Sequence, residues 1–180
     1  MNESDLQKFC RRAVEGGVTQ AKQVHPSGIV TAPWVRLKCQ FGCPNYGKNY
    51  CCPPDTPKPE ETRAVIDSYR RAILFRIEVP QTPETEGHYE RCLQMLTDLE
   101  GELFKAGYYK AFVILAGACH LCTKCAKLDG TPCNFLDRAR PSMGACGIDV
   151  YQTASNNGLE IETLREKSEV NNRYCLMLVD

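Results

Sequence analysis

The 180-residue chain is long enough for one ordinary domain with its own hydrophobic core. Its 22 Lys and Arg balance 22 Asp and Glu, so no basic field favours nucleic acid or an anionic membrane. The longest apolar run, Ala111 to Ala118, is far too short to span a bilayer. We therefore expect a single domain over residues 1–180 that has no nucleic-acid or membrane partner.

Four segments are predicted to be helical from their apolar periodicity, their acidic or proline starts and their glycine ends. They are Ser4–Val14, Pro59 to about Tyr69, Glu84–Ala106 and Ser142–Asn157. Pro80 and Pro83 bracket the turn before the third helix, Gly107 ends that helix, and Gly158 ends the fourth.

Runs rich in β-branched and aromatic residues predict the strands. Ile29–Leu37 contains Pro33 and is predicted to be an edge strand or an extended arm, whereas the uninterrupted apolar run Ala111–Gly117 is the best candidate for the central strand. The other predicted strands are Ala72–Val79, Leu159–Leu164 and Arg173–Val179, the last two as a hairpin. This order predicts an α/β fold, with α+β as the alternative: a sandwich whose mixed sheet has about five strands.

Twelve cysteines are the unusual feature of the composition. In a short secreted chain they would indicate a disulfide framework. The first residues, Met-Asn-Glu-Ser-Asp-Leu-Gln-Lys, show neither the basic nor the apolar region of a secretory signal. Thiols gathered in spaced motifs of a reduced protein favour metal binding, and we expect the protein to be cytoplasmic.

The second of two cysteine motifs has Cys119, Cys122 and Cys125 at every third residue, followed by Cys133. Thiolates select zinc, copper(I) or iron–sulfur clusters, and a C-x2-C-x2-C run is the ferredoxin way of holding a [4Fe–4S] cluster. Most structural zinc sites instead use two separated Cys pairs, or a Cys pair and a His pair. The motif favours a cluster, and zinc or metal-free thiols are the alternatives.

The first motif contains Cys39 and Cys43, then the adjacent Cys51 and Cys52 ahead of two prolines. Successive side chains point apart, so adjacent cysteines rarely bind one metal, and Cys52 is the one we expect to join Cys39 and Cys43. Three thiolates leave one position open, as catalytic metals require. The alternative is a closed site that one of three further residues completes: Cys51, Cys146 or His25.

Both motifs follow predicted strands, Ile29–Leu37 and Ala111–Gly117. Ligands of open α/β sheets gather beyond the carboxyl ends of the strands. If these two strands were parallel neighbours, the motifs would emerge at one end of the sheet and lie side by side.

The remaining cysteines and nearby cations have simpler interpretations. Cys10, Cys92 and Cys175 are each isolated in helix or strand patterns and are predicted to be core residues, because free Cys packs as a small hydrophobe. Cations close to the second motif would stabilise a negatively charged cluster, although an ordinary solvated surface is equally compatible with them. These cations are Lys124, Lys127, Arg138 and Arg140.

Together the motifs resemble a family of cysteine-rich predicted metal-binding proteins, Domain of Unknown Function 2284. The resemblance runs from about Trp34 to Asp149 and rests on Cys39-x3-Cys43-Pro-Asn-Tyr-Gly-Lys, Cys52-Pro-Pro, Cys119-x2-Cys122-x2-Cys125 and Arg140-Pro-Ser-Met-x-Ala-x-Gly-Ile-Asp149. It implies metal binding, iron–sulfur chemistry and anaerobic metabolism, with no settled reaction. The ligand positions that it implies are Cys39, Cys43, Cys52, Cys119, Cys122, Cys125 and Cys133. Gly144 stands where this family is expected to have an acidic residue.

The function that we expect is that of a cytoplasmic protein with one or two [4Fe–4S] clusters, which transfers electrons to or within a protein redox partner. One alternative is an enzyme whose three-cysteine site binds a substrate or sulfide at an open iron. Another is a structural or interaction module stapled by zinc. The sequence contains no Gly-rich phosphate loop and no hydrolase or zinc-protease motif, so no catalytic residue is assigned.

Overall fold

A computed structural model describes residues 4–79, 87–166 and 168–180. The helices found there are α1 (Ser4–Glu15), α2 (Trp34–Gly42), α3 (Pro59–Asp67), α4 (His88–Lys105) and α5 (Val150–Asn156). The strands are β1 (Gln20–Val24), β2 (Ala72–Val79), β3 (Phe112–Ile114) and β4 (Asn171–Leu178). None of the described helices combines the length and the apolar composition needed to cross a bilayer.

The four strands form one sheet in the order β1-β2-β4-β3. Every neighbouring pair is antiparallel: Ala72 of β2 lies opposite Val24 on one side and Leu178 on the other, and Leu178 also lies opposite Phe112 of β3. The predicted α/β class is confirmed. The sheet differs in detail, with four antiparallel strands in place of a mixed sheet of about five.

Both faces of the sheet are covered, which explains why β2 is apolar along most of its length. Ile73, Phe75 and Ile77 point into a core formed with α1 and α4, and Leu74 points into a second core on the opposite face. Side chains alternate between the faces of a strand, so a strand between two cores needs apolar residues at odd and even positions.

The second core positions the functional region. It packs Ile66 of α3 and Ala154 of α5 against the sheet together with Met143, Cys146 and Ile148, from the segment that precedes α5. That segment, residues 142–149, is held between the sheet and two helices. This segment is therefore a rigid support for the loops that are attached to it.

Several of the predicted elements are confirmed. Helices α1, α3 and α4 and strands β2 and β4 occupy the segments predicted for them, to within a few residues at the ends. Cys10, Cys92 and Cys175 are buried in the first core as expected. The predicted turn at Pro80 and Pro83, and residues 84–86 of the predicted third helix, lie outside the described residues.

The prediction for Ile29–Leu37 was wrong. Its second half begins helix α2, with Pro33 in helical conformation (φ −60°, ψ −32°) just before the first turn. Proline fixes φ near the helical value and lacks only an N–H that the first turn does not use, so it favours a helix start here. Only Thr31 keeps a β-type contact, an isolated bridge to Ile148.

The predicted central strand is an edge strand. Only Phe112–Ile114 pairs with β4, and β3 lies at the end of the sheet. Leu115 instead forms an isolated parallel bridge with Ser142. An apolar run indicates that both faces of a strand are buried. It does not indicate whether the strand has a neighbour on one side or on both.

The last part of the chain also differs from the prediction. Only Val150–Asn156 of the predicted Ser142–Asn157 helix forms α5, because Gly147 in left-handed conformation (φ +74°) separates it from a short 3-10 turn at 144–146. Leu159–Leu164 is not a strand, and Arg173–Val179 pairs with β2 and β3, so the predicted hairpin does not form.

Candidate metal centre

The second cysteine motif is a loop whose two ends meet at the edge of the sheet. The Leu115 amide donates to the Pro141 carbonyl (2.8 Å), and the Met143 amide donates to the Leu115 carbonyl (2.9 Å). The chain therefore leaves β3, runs through residues 116–140 and returns beside its starting point. A loop closed in this way brings all four of its cysteines to one region.

The first motif is attached to the same segment from the other side. The Ala32 amide donates to the Gly147 carbonyl (2.9 Å), and the Asp149 amide donates to the Val30 carbonyl (2.8 Å). Helix α2 begins two residues after Ala32 and carries Cys39. Residues 142–149 thus lie between the two motifs and hold both of them.

Contacts from the thiol-bearing loops continue along that segment. The Cys39 thiol faces the Gly144 carbonyl at 3.9 Å, and the Thr56 hydroxyl donates to the Ala145 carbonyl at 2.5 Å. Gly144 is the position where the resemblance leads one to expect an acidic residue. Here its backbone carbonyl, rather than a side chain, meets the first motif.

The two motifs also contact each other directly. The Tyr50 hydroxyl donates to the Thr131 carbonyl at 2.8 Å, and Lys127 forms an ion pair with Asp55. The motifs therefore lie side by side, although the condition on which this was expected, a pair of parallel neighbouring strands, is not met. They reach this position through the shared segment 142–149 and not through parallel neighbouring strands.

Three cysteines make up what we call the first thiol group: Cys39, Cys43 and Cys52. Cys39 lies on α2, Cys43 directly follows that helix and is exposed, and Cys52 is buried. Cys52 interacts electrostatically with both of the others and also with Cys119 of the second motif. Burial is the largest cause that raises the pKa of Cys39 and of Cys52.

The second thiol group comprises the cysteines of the second motif together with one from the first: Cys119, Cys122, Cys125, Cys133 and Cys51. Cys122 is coupled electrostatically to Cys119, Cys133 and Cys125. Cys51 lies against this group and not against Cys39 and Cys43, since its thiol interactions are with Cys119, Cys133 and its neighbour Cys52.

The pair Cys51 and Cys119 is a further link between the motifs. A hydrogen bond from the Cys51 thiol stabilises the Cys119 thiolate and lowers the pKa of Cys119 to about 6. The same hydrogen bond, together with burial, raises the pKa of Cys51 far above its usual value. This hydrogen bond favours the Cys119 thiolate, and the thiolate is the form of cysteine that binds metals.

A buried asparagine fixes how the adjacent cysteines diverge. Asn49 is only 6% exposed, and its side-chain oxygen accepts the Cys51 amide at 3.0 Å. Its backbone carbonyl accepts the Cys52 amide at 3.3 Å. In the resulting turn Cys51 interacts with Cys119 and Cys133, and Cys52 interacts with Cys39, Cys43 and Cys119.

An arginine held by a buried carboxylate lies near Cys51. Arg140 makes two hydrogen bonds to Glu100 (2.6 and 3.0 Å), both side chains are 13% exposed, and the guanidinium lies 5.2 Å from the centre of the Phe112 ring. Glu100, with some contribution from Cys51, raises the pKa of Arg140. The Arg140 guanidinium is therefore held near Cys51 with its charge paired to Glu100.

Two clefts reach the second thiol group. One, of about 480 Å³, is mainly apolar and is bordered by Cys51, Cys133 and Leu136. The other is small, about 70 Å³, and lies between α4 and the second motif, with Cys119 and Arg140 in its wall. The second group is accessible from solvent on two sides.

The structure shows free thiols and, within its described residues, no group already arranged around a metal ion. All twelve cysteines are free. Within the described part of the chain, no three Cys, His, Asp or Glu side chains are arranged to hold a metal ion. One tetrahedral zinc would draw four sulfurs to about 3.8 Å from each other, given Zn–S bonds of about 2.3 Å. In a [4Fe–4S] cluster each thiolate binds a different iron, so the sulfurs stay farther apart.

Two of the residues considered for completing the first site are placed elsewhere. Cys146 is 3% exposed inside the second core, and burial raises its pKa to about 12. The His25 ring nitrogen Nδ1 hydrogen-bonds the Ser27 hydroxyl at 2.8 Å, and the ring lines a cleft with Lys22 and Arg70 that contains no cysteine. The structure therefore does not bring either residue to the first thiol group.

An α/β chain that gathers eight thiols on one rigid segment has the donor set of a metal-binding protein. The chain belongs to the family described as predicted metal-binding protein (DUF2284), which matches residues 22–179. This is the family that the cysteine motifs resemble. No curated protein and no solved structure gave a significant match.

The placement of Cys51 is what sequence reasoning missed. The available signal was the adjacency of Cys51 and Cys52, because side chains of successive residues diverge. That argument assigned Cys52 to the first group, and carried one step further it would have sent Cys51 elsewhere. The identity of its neighbours, Cys119 and Cys133, depends on contacts between residues about 70 to 80 positions apart and could not be derived from the sequence.

Proposed function

We propose that the chain is a cytoplasmic iron–sulfur protein that holds two [4Fe–4S] clusters and passes electrons to a protein partner in anaerobic metabolism. The observation that carries this proposal is the adjacency of the two cysteine motifs, which contact each other through the Tyr50–Thr131 hydrogen bond and the Lys127–Asp55 ion pair. Electron transfer between two centres requires such proximity. When bound, the clusters would supply one-electron storage, and the chain supplies their ligands and surroundings.

The choice of iron–sulfur over zinc rests on the spacing of the cysteines. The two groups offer thiols alone, a donor set that both iron–sulfur clusters and zinc accept. The C-x2-C-x2-C run matches the ferredoxin pattern, whereas zinc usually takes separated pairs. Arg140, fixed by Glu100, offsets part of the negative charge that four thiolates would bring to a cluster.

The surface around the thiols supports a protein partner of negative charge. Residues 34–58 contain four Lys and Arg against one Asp, and residues 119–140 contain four against two Asp, although the whole chain is neutral. Large apolar side chains are exposed beside them, namely Leu37 (57%), Phe41 (78%) and Leu136 (75%). An apolar patch with basic surroundings suits an acidic electron carrier.

Metal analysis tests the proposal. Anaerobically purified protein is expected to be brown and to contain about eight irons and eight acid-labile sulfides per chain. Exposure to air should bleach the colour and release iron. A colourless protein with stoichiometric zinc, prepared without oxygen, would refute the redox function and leave a zinc-stapled module.

A second candidate function is catalytic. The first thiol group supplies three ligands, and the structure keeps Cys146 and His25 away from it. An iron with no fourth protein ligand can bind a substrate or sulfide, as open zinc sites bind theirs. A change in the spectrum of the reduced protein on adding sulfide, absent in a Cys39→Ala variant, would favour this function.

A further inference from the structure

We propose that strand β1 is a docking site, at which an extended acidic segment of a protein partner adds to the sheet. The inference does not rest on the proposed function, because no thiol takes part in it. In the described part of the chain β1 pairs with β2 alone and ends the sheet on the side opposite β3. An outer strand offers main-chain hydrogen bonds to an added strand, and many peptides are bound in this way.

Alternation along the ladder shows which main-chain groups of β1 point outward. The Val179 amide, just after β4, donates at 3.0 Å to the carbonyl of Arg71, just before β2. Successive residues of an antiparallel strand bond to opposite neighbours, so the even-numbered residues of β2 bond to β1. Their partners are the even-numbered residues of β1. The odd-numbered residues of β1, Ala21 and Gln23, therefore direct their amides and carbonyls away from the sheet.

These outward groups are available to a partner. No described residue outside the sheet forms a hydrogen bond with the main chain of Ala21 or Gln23. A lysine on an outer strand can guard it against pairing. The Lys22 Nζ is instead held by the Asn157 carbonyl at 2.6 Å, on the face of the sheet that α5 covers. The Gln23 Oε1 atom is buried and also lacks a partner among the described residues, so a donor from an added strand would satisfy it.

A cleft of about 520 Å³ follows this edge, and its charge selects an acidic occupant. Residues 21–25 line it together with Arg70 and Arg71, and none of the described residues that border it is acidic. Asp180 pairs with Arg71. Arg70 and Lys22 form no ion pair with any described residue. Two cations therefore remain for carboxylates of a bound segment.

The two faces of β1 specify the side chains of the occupant. Ala21 packs against the first core, and Lys22 points to the opposite face. Residues that lie opposite each other on neighbouring strands share a face, so apolar side chains fit beside Ala21 and acidic ones beside Lys22. A segment in which acidic and apolar residues alternate meets both requirements. A second copy of β1 would bring another Lys22 to the same edge, and like charges on paired strands are destabilising.

A fluorescent peptide of about ten residues, in which Glu alternates with Val, tests the inference by its binding to the full chain. A version methylated at every main-chain nitrogen has the same charge but cannot pair with a strand, and it should bind at least about tenfold more weakly. Hydrogen exchange followed by NMR gives a second readout. The amides of Ala21 and Gln23 should exchange at least about tenfold more slowly in the complex, whereas that of Lys22, already bonded to β2, should change little.

A proline variant isolates the outward amide. Gln23→Pro removes an N–H that takes no part in the β1–β2 ladder, which an outer strand tolerates, and Gln23→Ala is its matched control. The proline variant should bind the peptide at least about tenfold more weakly than the alanine variant. Arg70→Ala should weaken binding about threefold, and Lys48→Ala, in the first cysteine motif, should leave it unchanged. If Gln23→Pro does not fold, the methylated peptide and the hydrogen exchange of the wild type decide.

Three results would overturn the inference. The first is no binding at millimolar peptide, or equal binding to the proline and alanine variants. The second is displacement of the peptide by millimolar inorganic phosphate, together with equal binding of the methylated peptide, which would indicate a site for small anions. The third is self-association of the unliganded chain that Gln23→Pro abolishes, which would identify a second copy as the occupant. None of these results depends on the metal content, so failure of the redox function leaves the inference intact.

Discussion

At the scale of single residues, Arg71 and Asp180 form the clearest stabilising ion pair away from the thiols. Their side chains are 20% and 12% exposed, and Arg71 Nε lies 2.9 Å from Asp180 Oδ1. The Arg71 hydrogen bonds hold the pKa of Asp180 below its usual value. The pair joins the residue before β2 to the residues after β4, at one end of the two central strands.

Replacing this carboxylate tests the pair. Asp180→Asn should lower the free energy of unfolding by about 2 kcal/mol at pH 7, which lowers the midpoint of thermal unfolding by about 4–8 °C. Because the pKa of Asp180 is depressed in the folded state, its contribution is complete above the unfolded pKa of about 3.9. It is lost as the pH falls through the lower folded pKa.

Thermal unfolding followed by circular dichroism at pH 7, 5 and 3 measures the difference in stability between the wild type and Asp180→Asn. This difference should be the same at pH 7 and pH 5 and smaller at pH 3. Asp67→Asn is the control, since Asp67 is 63% exposed and its pair with Arg63 should contribute less than about 1 kcal/mol. Equal effects of the two variants would contradict the assignment of a stabilising role to Asp180.

At the scale of elements, the segment 142–149 depends on one glycine. Gly147 has φ +74°, and a Cβ built on it would lie 2.5 Å from Cγ of Pro59, the first residue of α3. The close approach lets α3 pack against the segment that holds both cysteine motifs. A side chain at this position therefore disturbs the base of the site.

Gly147→Ala should lower the free energy of unfolding by about 3 kcal/mol, since it combines left-handed strain of about 1–2 kcal/mol with overpacking of about 1–3 kcal/mol. Gly158→Ala is the matched control: φ is +65°, and its Cβ would meet only Lys22 Nζ at 3.7 Å. Gly158→Ala should lower the free energy of unfolding by about 1 kcal/mol. Chemical denaturation of both variants measures the two values, and similar losses would mean that the Pro59 contact is unimportant.

The elements also show how far sequence reasoning reaches. Ala72–Val79 was predicted with its observed bounds, because a strand with a core on each face is apolar throughout. Ile29–Leu37 was misassigned, because local β-propensity was given more weight than the helix start that Pro33 provides. The bridges Thr31–Ile148 and Leu115–Ser142 join distant positions, and no local pattern encodes such pairings.

For the candidate site, the sequence identified the cysteines of both motifs and their possible adjacency. It did not indicate that residues 142–149 are the base that unites them, since that segment was predicted to be the first half of a helix. The role of Arg140 was predicted only as one of two equal alternatives. Its pairing with Glu100 depends on α4 packing against β3, a tertiary contact.

At the scale of the whole molecule, charge is distributed unevenly. The segments that carry the thiols are basic, whereas the chain is neutral, so the remainder is acidic. Such a distribution would orient the proposed acidic partner toward the thiols and raise the rate of productive encounter. The effect depends on long-range attraction and is therefore screened by salt.

Steered association leads to a rate prediction. Reduction of the protein by a small acidic electron carrier should slow at least about tenfold between 10 mM and 500 mM NaCl. Charge reversal at the exposed residues Lys38 and Lys48 should slow it at low salt, whereas Lys8→Glu on α1 should have little effect. Stopped-flow absorbance measures these rates, and a rate that does not vary with salt would contradict electrostatic steering.

Glu100, described above as the partner of Arg140, has a second consequence. Its carboxylate accepts the Val113 amide at 2.7 Å, and Val113 belongs to β3, the last strand of the sheet. An outermost strand with unsatisfied amides is a template on which another polypeptide can add, and this is how many β-proteins aggregate. By occupying that amide, helix α4 blocks such growth of the sheet and helps keep the protein from polymerising through this edge.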